Sequence, residues 1–235
     1  MYKNKKILAI VPARSGSKGV PLKNIKEINK KPLISWTINT AKKSQYLDRY
    51  FVSTDSEKIA CVARDSGADI PFLRPKELAE DHSPSYEAIL HALLKFEEQG
   101  EIFDYVALLE PTSPLRKNDD IDNAISKLID DEKADSLVSL GEVHMEHPMI
   151  IKRINDDYVT PYIDNVKKIY QRQQADIAYF PYGVIYICKT SIFREEKSFY
   201  LKKTIPYFID RWQNYEIDDI IDFNIAELLI KKNIK

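Results

Sequence analysis

Through the first half of the chain, short apolar runs alternate with segments whose apolar residues recur at three- and four-residue offsets. That alternation predicts βαβ units feeding a mostly parallel sheet. Strands are expected at 7–11, 50–53, 105–109 and 136–140, and helices at 32–43, 57–66, 85–99 and 119–131. In the third helix Ala88, Ile89, Ala92, Leu93 and Phe96 fall on one face and leave the rest for solvent. Pro32 suits a first helical turn, where its missing amide proton would have no partner. From 142 to 182 the periodicity is lost and prolines, tyrosines and charges mix. Such a stretch is too long for an ordinary connection, so a projecting arm is expected, with Asp156 and Asp157 turning between two strands. The strand-like GVIYIC at 183–188 returns the chain to the sheet, and a last helix is expected over 220–232. The whole of 1–235 reads as one α/β domain, a mostly parallel twisted sheet flanked by helices, with the arm at 142–182 inserted in it.

At 235 residues and 44% apolar content the chain can bury one sizeable core, and a second full domain is not expected. Its 36 acids and 35 bases nearly cancel, so net charge gives no reason to expect nucleic acid or an anionic membrane as the main partner. Any basic site must be local. The first apolar run is cut short by Pro12 and Arg14, too early for a signal sequence, and no run reaches the roughly 18 apolar residues of a membrane span. A soluble, cytoplasmic protein is expected. Cys61 and Cys188 are too few for a disulfide framework or a zinc site and read as ordinary buried thiols. His144 and His147 lack metal-ligand spacing and read as part of a loop or strand edge.

The most informative stretch is IVPARSGSKGVPLKN, 10–24. An apolar strand runs into a loop with two glycines, two serines, Arg14, Lys18 and Lys23, so backbone amides and three cations can converge at the carboxyl edge of the sheet. A polyphosphate is held in this way. The loop is neither GxxxxGK[ST] nor GxGxxG. A solvated basic loop is the plain alternative, and the position directly after the first strand weighs against it, since open α/β sheets place ligands there.

These residues resemble the acylneuraminate cytidylyltransferases, also called CMP-sialic acid synthetases. Residues 12–24 carry that family's PARxGSKGxPxKN pattern, and the likeness continues through VSTD at 52–55, LRPxELA at 73–79, PTSPLR at 111–116 and RQQ at 172–174. The resemblance implies a fold of the nucleotide-diphospho-sugar transferase type and attack of a nine-carbon 2-keto sugar acid on CTP. It implies that Arg14, Ser17, Lys18 and Lys23 bind the triphosphate, that Asn24 lies beside the base or ribose, and that Arg74 and Ser85 contact the cytidine side. Arg74 could instead be a surface ion-pair residue, and Ser85 the N-cap of the following helix.

Near the other end, YEIDDIIDF at 215–223 offers a second cluster. If 216–218 is extended, Glu216 and Asp218 project to the same side and could present hard oxygen ligands to one Mg2+. Asp219 and Asp222 read instead as caps of the last helix, where the dipole favours carboxylates. The resemblance aligns Glu216 and Asp218 with the family's metal-binding DxD, with Glu in the first place. Catalysis of in-line attack on the α-phosphate would then be positioning and charge stabilisation, by Arg14, Lys18 and Lys23 on the departing pyrophosphate and by Asp218 at the attacking hydroxyl.

On the sugar side the resemblance implies contacts from Glu110, Thr112, Ser113, Tyr182 and Tyr186, with Arg172 holding the sugar carboxylate through a bidentate pair. Here the chain departs from the family: Glu110 stands for a glutamine, Tyr182 for an asparagine and Ile150 for a lysine. A carboxylate at 110 disfavours a nearby anion but can accept from an amino or hydroxyl group, so legionaminic acid and other relatives of N-acetylneuraminic acid become candidates. In the family the arm crosses to a neighbouring subunit, which implies a homodimer with Arg172 completing the partner's site; the alternative is an arm folded on its own domain. Two other functions share these features: a guanylyl- or other nucleotidyltransferase acting on a sugar 1-phosphate, and a non-catalytic nucleotide-binding protein. A glycosyltransferase fits less well, because its acidic metal pair follows a middle strand.

Overall fold

The computed structural model describes residues 1–164 and 175–233. Its frame is a six-stranded sheet. In chain order the strands are β1 (Ile7–Pro12), β4 (Arg49–Ser53), β5 (Tyr105–Leu108), β6 (Ser136–Glu142), β9 (Tyr179–Lys189) and β10 (Thr204–Phe208). Across the sheet they lie in the order β10-β6-β9-β5-β1-β4. β1 pairs in parallel with β4 and β5, and β6 with β10, while β9 runs antiparallel between β5 and β6. The carboxyl ends of β4, β1, β5 and β6 therefore share one edge with the amino end of β9. β1 is buried on both faces, as the apolar run ILAIV requires of a central parallel strand.

Helices α1 (Leu33–Lys43), α2 (Glu57–Asp65), α3 (Ser85–Glu98), α4 (Asp120–Asp130), α5 (Thr190–Glu196) and α6 (Ile220–Lys232) flank the sheet. The apolar face foreseen for the third helix is the buried face of α3. Two short hairpins stand apart from the sheet: β2 (Glu27–Ile28) with β3 (Lys31–Pro32), and β7 (Lys152–Asn155) with β8 (Tyr158–Pro161). The second turns at Asp156 and Asp157, whose φ values of 47° and 68° give the left-handed turn that matches strand twist. It carries the foreseen turn within the arm stretch, while β6 and β9 already take the two ends of that stretch into the sheet.

Several local expectations are corrected. Pro32 occupies the N-cap position of α1, extended and paired with Glu27, so it precedes the first turn. Pro84 precedes α3, which makes Ser85 its first helical residue and not its cap. Cys61 is exposed because α2 turns Ile59, Ala60 and Ala63 inward; only Cys188 is buried, and desolvation pushes its thiol up to about 12. His147 does belong to a loop, its Nδ1 accepting from the Met149 amide. No helix among the described residues is long and apolar enough to cross a membrane.

A second, smaller core decides where the carboxyl-terminal acids stand. Ile28, Leu33, Ile217, Phe223 and Ala226 pack together, with Trp36 and Ile230 against them. Ile217 is fully buried there, which fixes its neighbours Glu216 and Asp218 against the amino-terminal loop. Asp219 then caps α6, accepting from the amides of Ile221 and Asp222 while Asp222 accepts from Asp219, a reciprocal capping box.

Candidate active site

At the carboxyl edge of β1 the chain leaves the sheet through Ala13 and Arg14. Asp55, two residues past β4, anchors the loop by accepting from the amide and hydroxyl of Ser15. Desolvation opposes the charge on Asp55, but those two bonds outweigh it and hold its carboxyl below the ordinary range. Asn24 is buried and donates to the Arg14 carbonyl, closing the loop from its far end. Gly19 lies against the acidic segment: a Cβ there would come 2.1 Å from the Asp218 carbonyl oxygen, so no side chain fits. Lys23 donates to the Ile217 carbonyl at 2.6 Å, and its Nζ lies 3.7 Å from Asp218 Oδ1. The cationic loop and the acidic segment thus meet in direct contact at the carboxyl edge of the sheet.

The remaining cations of the loop are engaged by an acid that the sequence did not single out. Asp81 pairs with Arg14 at 2.8 Å and with Lys18 at 2.6 Å, and both contacts hold its carboxyl below the usual range, Lys18 most. Arg74 is not a surface ion-pair residue. It is buried, donates to the carbonyls of Ser53 and Leu78, and desolvation lowers its guanidinium to about 10. Ser17 is half-buried beside them and Ser85 opens α3.

On the other side of the cleft the PTSPLR loop follows β5. Ser113 donates to Glu216, and the Gly183 amide donates to the same Glu216 oxygen. Glu110 fills the space beside Gly183, where a Cβ would meet its side chain at 2.6 Å. Thr112 donates to Glu110 at 3.3 Å. Desolvation, reinforced by the Glu216 charge, pushes the Glu110 carboxyl up to about 7, and desolvation likewise raises Glu216 against the pull of Ser113 and Gly183. Tyr182 and Tyr186 are half-buried on β9, and desolvation raises both phenols, with Glu110 adding to the shift at Tyr186. Beneath them Arg116, which the sequence reading left without a role, donates to the carbonyls of Glu110, Gly183 and Val184 and to the Thr37 hydroxyl.

Of the residues expected to carry chemistry, the fold brings Arg14, Ser17, Lys18, Lys23, Asn24 and Arg74 to one side and Glu110, Thr112, Ser113, Tyr182, Tyr186, Glu216 and Asp218 to the other. Arg172 lies outside the described residues. Glu216 and Asp218 do not stand alike: Glu216 is turned inward and held by two donors, while the Asp218 side chain is 91% exposed. No set of three His, Cys, Asp or Glu among the described residues is arranged to hold a metal by itself. Mg2+ commonly uses only one or two carboxylates and takes its other ligands from substrate phosphates and water, so an exposed Asp218 facing the loop fits such an ion.

A sequence profile described as cytidylyltransferase matches residues 8–234. The chain belongs to the cytidylyltransferase family. The chain is 35% identical over 97% of its length to the N-acylneuraminate cytidylyltransferase of Escherichia coli O18:K1:H7, of which it spans 52%. It is 36% identical to the CMP-N,N'-diacetyllegionaminic acid synthase of Legionella pneumophila and 32% identical to a pseudaminic acid cytidylyltransferase of Campylobacter jejuni, covering 97% of each with 97% of its own chain. Thus it spans about half of the first relative and nearly all of the other two. Its fold is also that of CMP:2-keto-3-deoxy-manno-octonic acid synthetase complexed with CTP, with a TM-score of 0.72 at 14% identity over 97% of this chain and 100% of that one. The expected fold, a mostly parallel sheet flanked by helices, is therefore borne out.

Proposed function

We propose that this cytidylyltransferase couples CTP to a nine-carbon 2-keto sugar acid of the sialic or legionaminic kind, giving the CMP-sugar and pyrophosphate. The observation that carries the reading is the closure of the Gly19 loop on Asp218, which sets three cations and an exposed carboxylate around one cleft. The activities of the relatives supply the substrate class.

Arg14 and Lys18, once released from Asp81, and Lys23 bind the triphosphate and stabilise the departing pyrophosphate. Ser17 and Asn24 shape the loop around it, and Arg74 and Ser85 border the cytidine. Asp218 holds Mg2+ together with phosphate oxygens, with Glu216 beside it as the second carboxylate. When bound, the ion screens phosphate charge and lowers the pKa of an attacking hydroxyl. Asp218 also orients that hydroxyl toward the α-phosphate, and losing one such group costs about 3 kcal/mol, or roughly 100-fold in rate. Glu110, Thr112, Ser113, Tyr182 and Tyr186 line the sugar end, and Arg172 takes the sugar carboxylate.

The β7–β8 hairpin exposes Ile154, Tyr158, Val159 and Tyr162, by 57–76%. Apolar side chains shown to solvent in this way suit an interface, and we assign the 142–182 arm to a homodimer in which Arg172 completes the neighbouring site. A CTP-consuming enzyme of this kind works in the cytoplasm.

Incubation with Mg2+, each of the four nucleoside triphosphates and a panel of sugar acids and sugar 1-phosphates, followed by mass analysis of the conjugate, tests the reading. A CMP-sugar acid is expected. A GMP-sugar, or no pyrophosphate from any pair, would replace it with one of the two rival functions.

A further inference from the structure

The sugar end of the cleft is more acidic than binding an acidic sugar requires. Glu110 and Glu216 flank Gly183, the first packed against its Cα and the second accepting from its amide. Their contacts among the described residues are with neutral donors, namely Thr112 for Glu110 and Ser113 and the Gly183 amide for Glu216. The nearest buried cation, Arg116, gives its N–H groups to carbonyls and a hydroxyl and makes no bond to either carboxylate. Glu110 is half-buried as a residue and its carboxylate accepts from Thr112, which leaves it acceptor capacity to spare.

The acids are not equally placed: Asp218 is exposed, while Glu216 and Glu110 are half-buried. Asp218 stands at the mouth beside Lys23, Glu216 is held inward at Gly183, and Glu110 lies on the other side of that glycine. The Tyr186 ring comes next, with the Tyr200 ring 6.3 Å from it. Were the reacting hydroxyl of a sugar acid held at Asp218, Glu110, across Gly183 from Glu216, would be within reach of a group farther along the sugar. An anion there is repelled, a neutral acylamino group gains one hydrogen bond, and a protonated nitrogen gains a charge-assisted one.

We propose that Glu110 selects a sugar acid that carries a basic nitrogen, a free amino or amidino group, on the end remote from its carboxylate. This rests on the CTP-dependent reading above. The test compares kcat/KM for two nine-carbon sugar acids that differ only in one remote nitrogen, acylated in one and amidino in the other. The wild type should favour the basic sugar by about tenfold, the size expected of one charge-assisted bond. Glu110→Gln should bring the ratio to within about twofold through the sugar KM, with the CTP KM unmoved; Glu110→Asp should retain the preference. Equal use of the two sugars by the wild type, or a preference that survives Glu110→Gln, overturns the proposal. A CMP conjugate from the acylated sugar alone would overturn it too while leaving the CTP-dependent reading standing; no conjugate from any sugar acid would sink both.

Discussion

Lys23 and Asp218 come from opposite ends of the chain, yet the Lys23 Nζ lies 3.7 Å from Asp218 Oδ1 and donates to the carbonyl of the residue before it. Lys23 is 15% exposed and Asp218 91% exposed, so the pair joins a fixed cation to a carboxylate free to take a ligand. Partly exposed pairs add little to stability. Asp218→Asn should therefore leave the melting temperature within about 2 °C of wild type. Turnover should fall by about 100-fold, with a raised Mg2+ requirement. Pyrophosphate release measured across a magnesium titration checks both, and a variant with wild-type turnover would remove Asp218 from the chemistry.

Asp81 bridges the two loop cations that the triphosphate is proposed to need. A carboxylate in that place competes with phosphate for Arg14 and Lys18. Asp81→Asn should lower the CTP KM by about two- to fivefold, a modest change because contacts so open to solvent are screened. The effect should shrink with added salt. Initial rates against CTP at two ionic strengths test this, and an unchanged or raised KM would show that Asp81 does not compete.

The strands and helices of the βαβ half could be read from periodicity because their buried faces repeat at regular offsets. Val52 and Ala92 are buried where the pattern puts them. The site was legible for a different reason: Gly19, Lys23 and Asp218 sit in motifs whose chemistry is local. What pattern could not show depends on contacts between distant segments. Asp81 follows a short turn with no periodicity, and its role appears only when Arg14 and Lys18 are placed beside it. Arg116 ends PTSPLR with no periodicity to mark it as buried, yet it donates to the Gly183 and Val184 carbonyls of β9. The antiparallel entry of β9 between β5 and β6 is likewise a matter of topology, since GVIYIC has the same apolar run in either direction.

Arg116 should prove the most sensitive of these positions. Burial lowers its guanidinium to about 10, and it joins α1, the end of β5 and the start of β9 through bonds to Thr37, Glu110, Gly183 and Val184. Arg116→Met would leave three buried carbonyls without that donor and should destabilise the fold by about 3–5 kcal/mol. Arg116→Lys should recover only part, because an ammonium cannot span the same carbonyls. Urea denaturation of the three proteins measures the difference, and a methionine variant within about 1 kcal/mol of wild type would contradict the assigned role.

Glu110 makes stability depend on pH in a direction opposite to that of an ordinary ion-paired carboxylate. Desolvation first, and Glu216 second, raise its pKa from 4.5 to about 7 in the folded chain. Between those values the folded state holds a proton that the unfolded state has released, so stability falls as pH rises through that window. Above it the penalty is at most roughly 3 kcal/mol, reduced by whatever water reaches the cleft. Glu110→Gln keeps the shape and removes the ionisation. The variant should be more stable than wild type at pH 8, and the gap should close toward pH 5. Urea midpoints of both proteins across that range decide the matter, and a gap that does not change with pH would mean that Glu110 is as well solvated folded as unfolded.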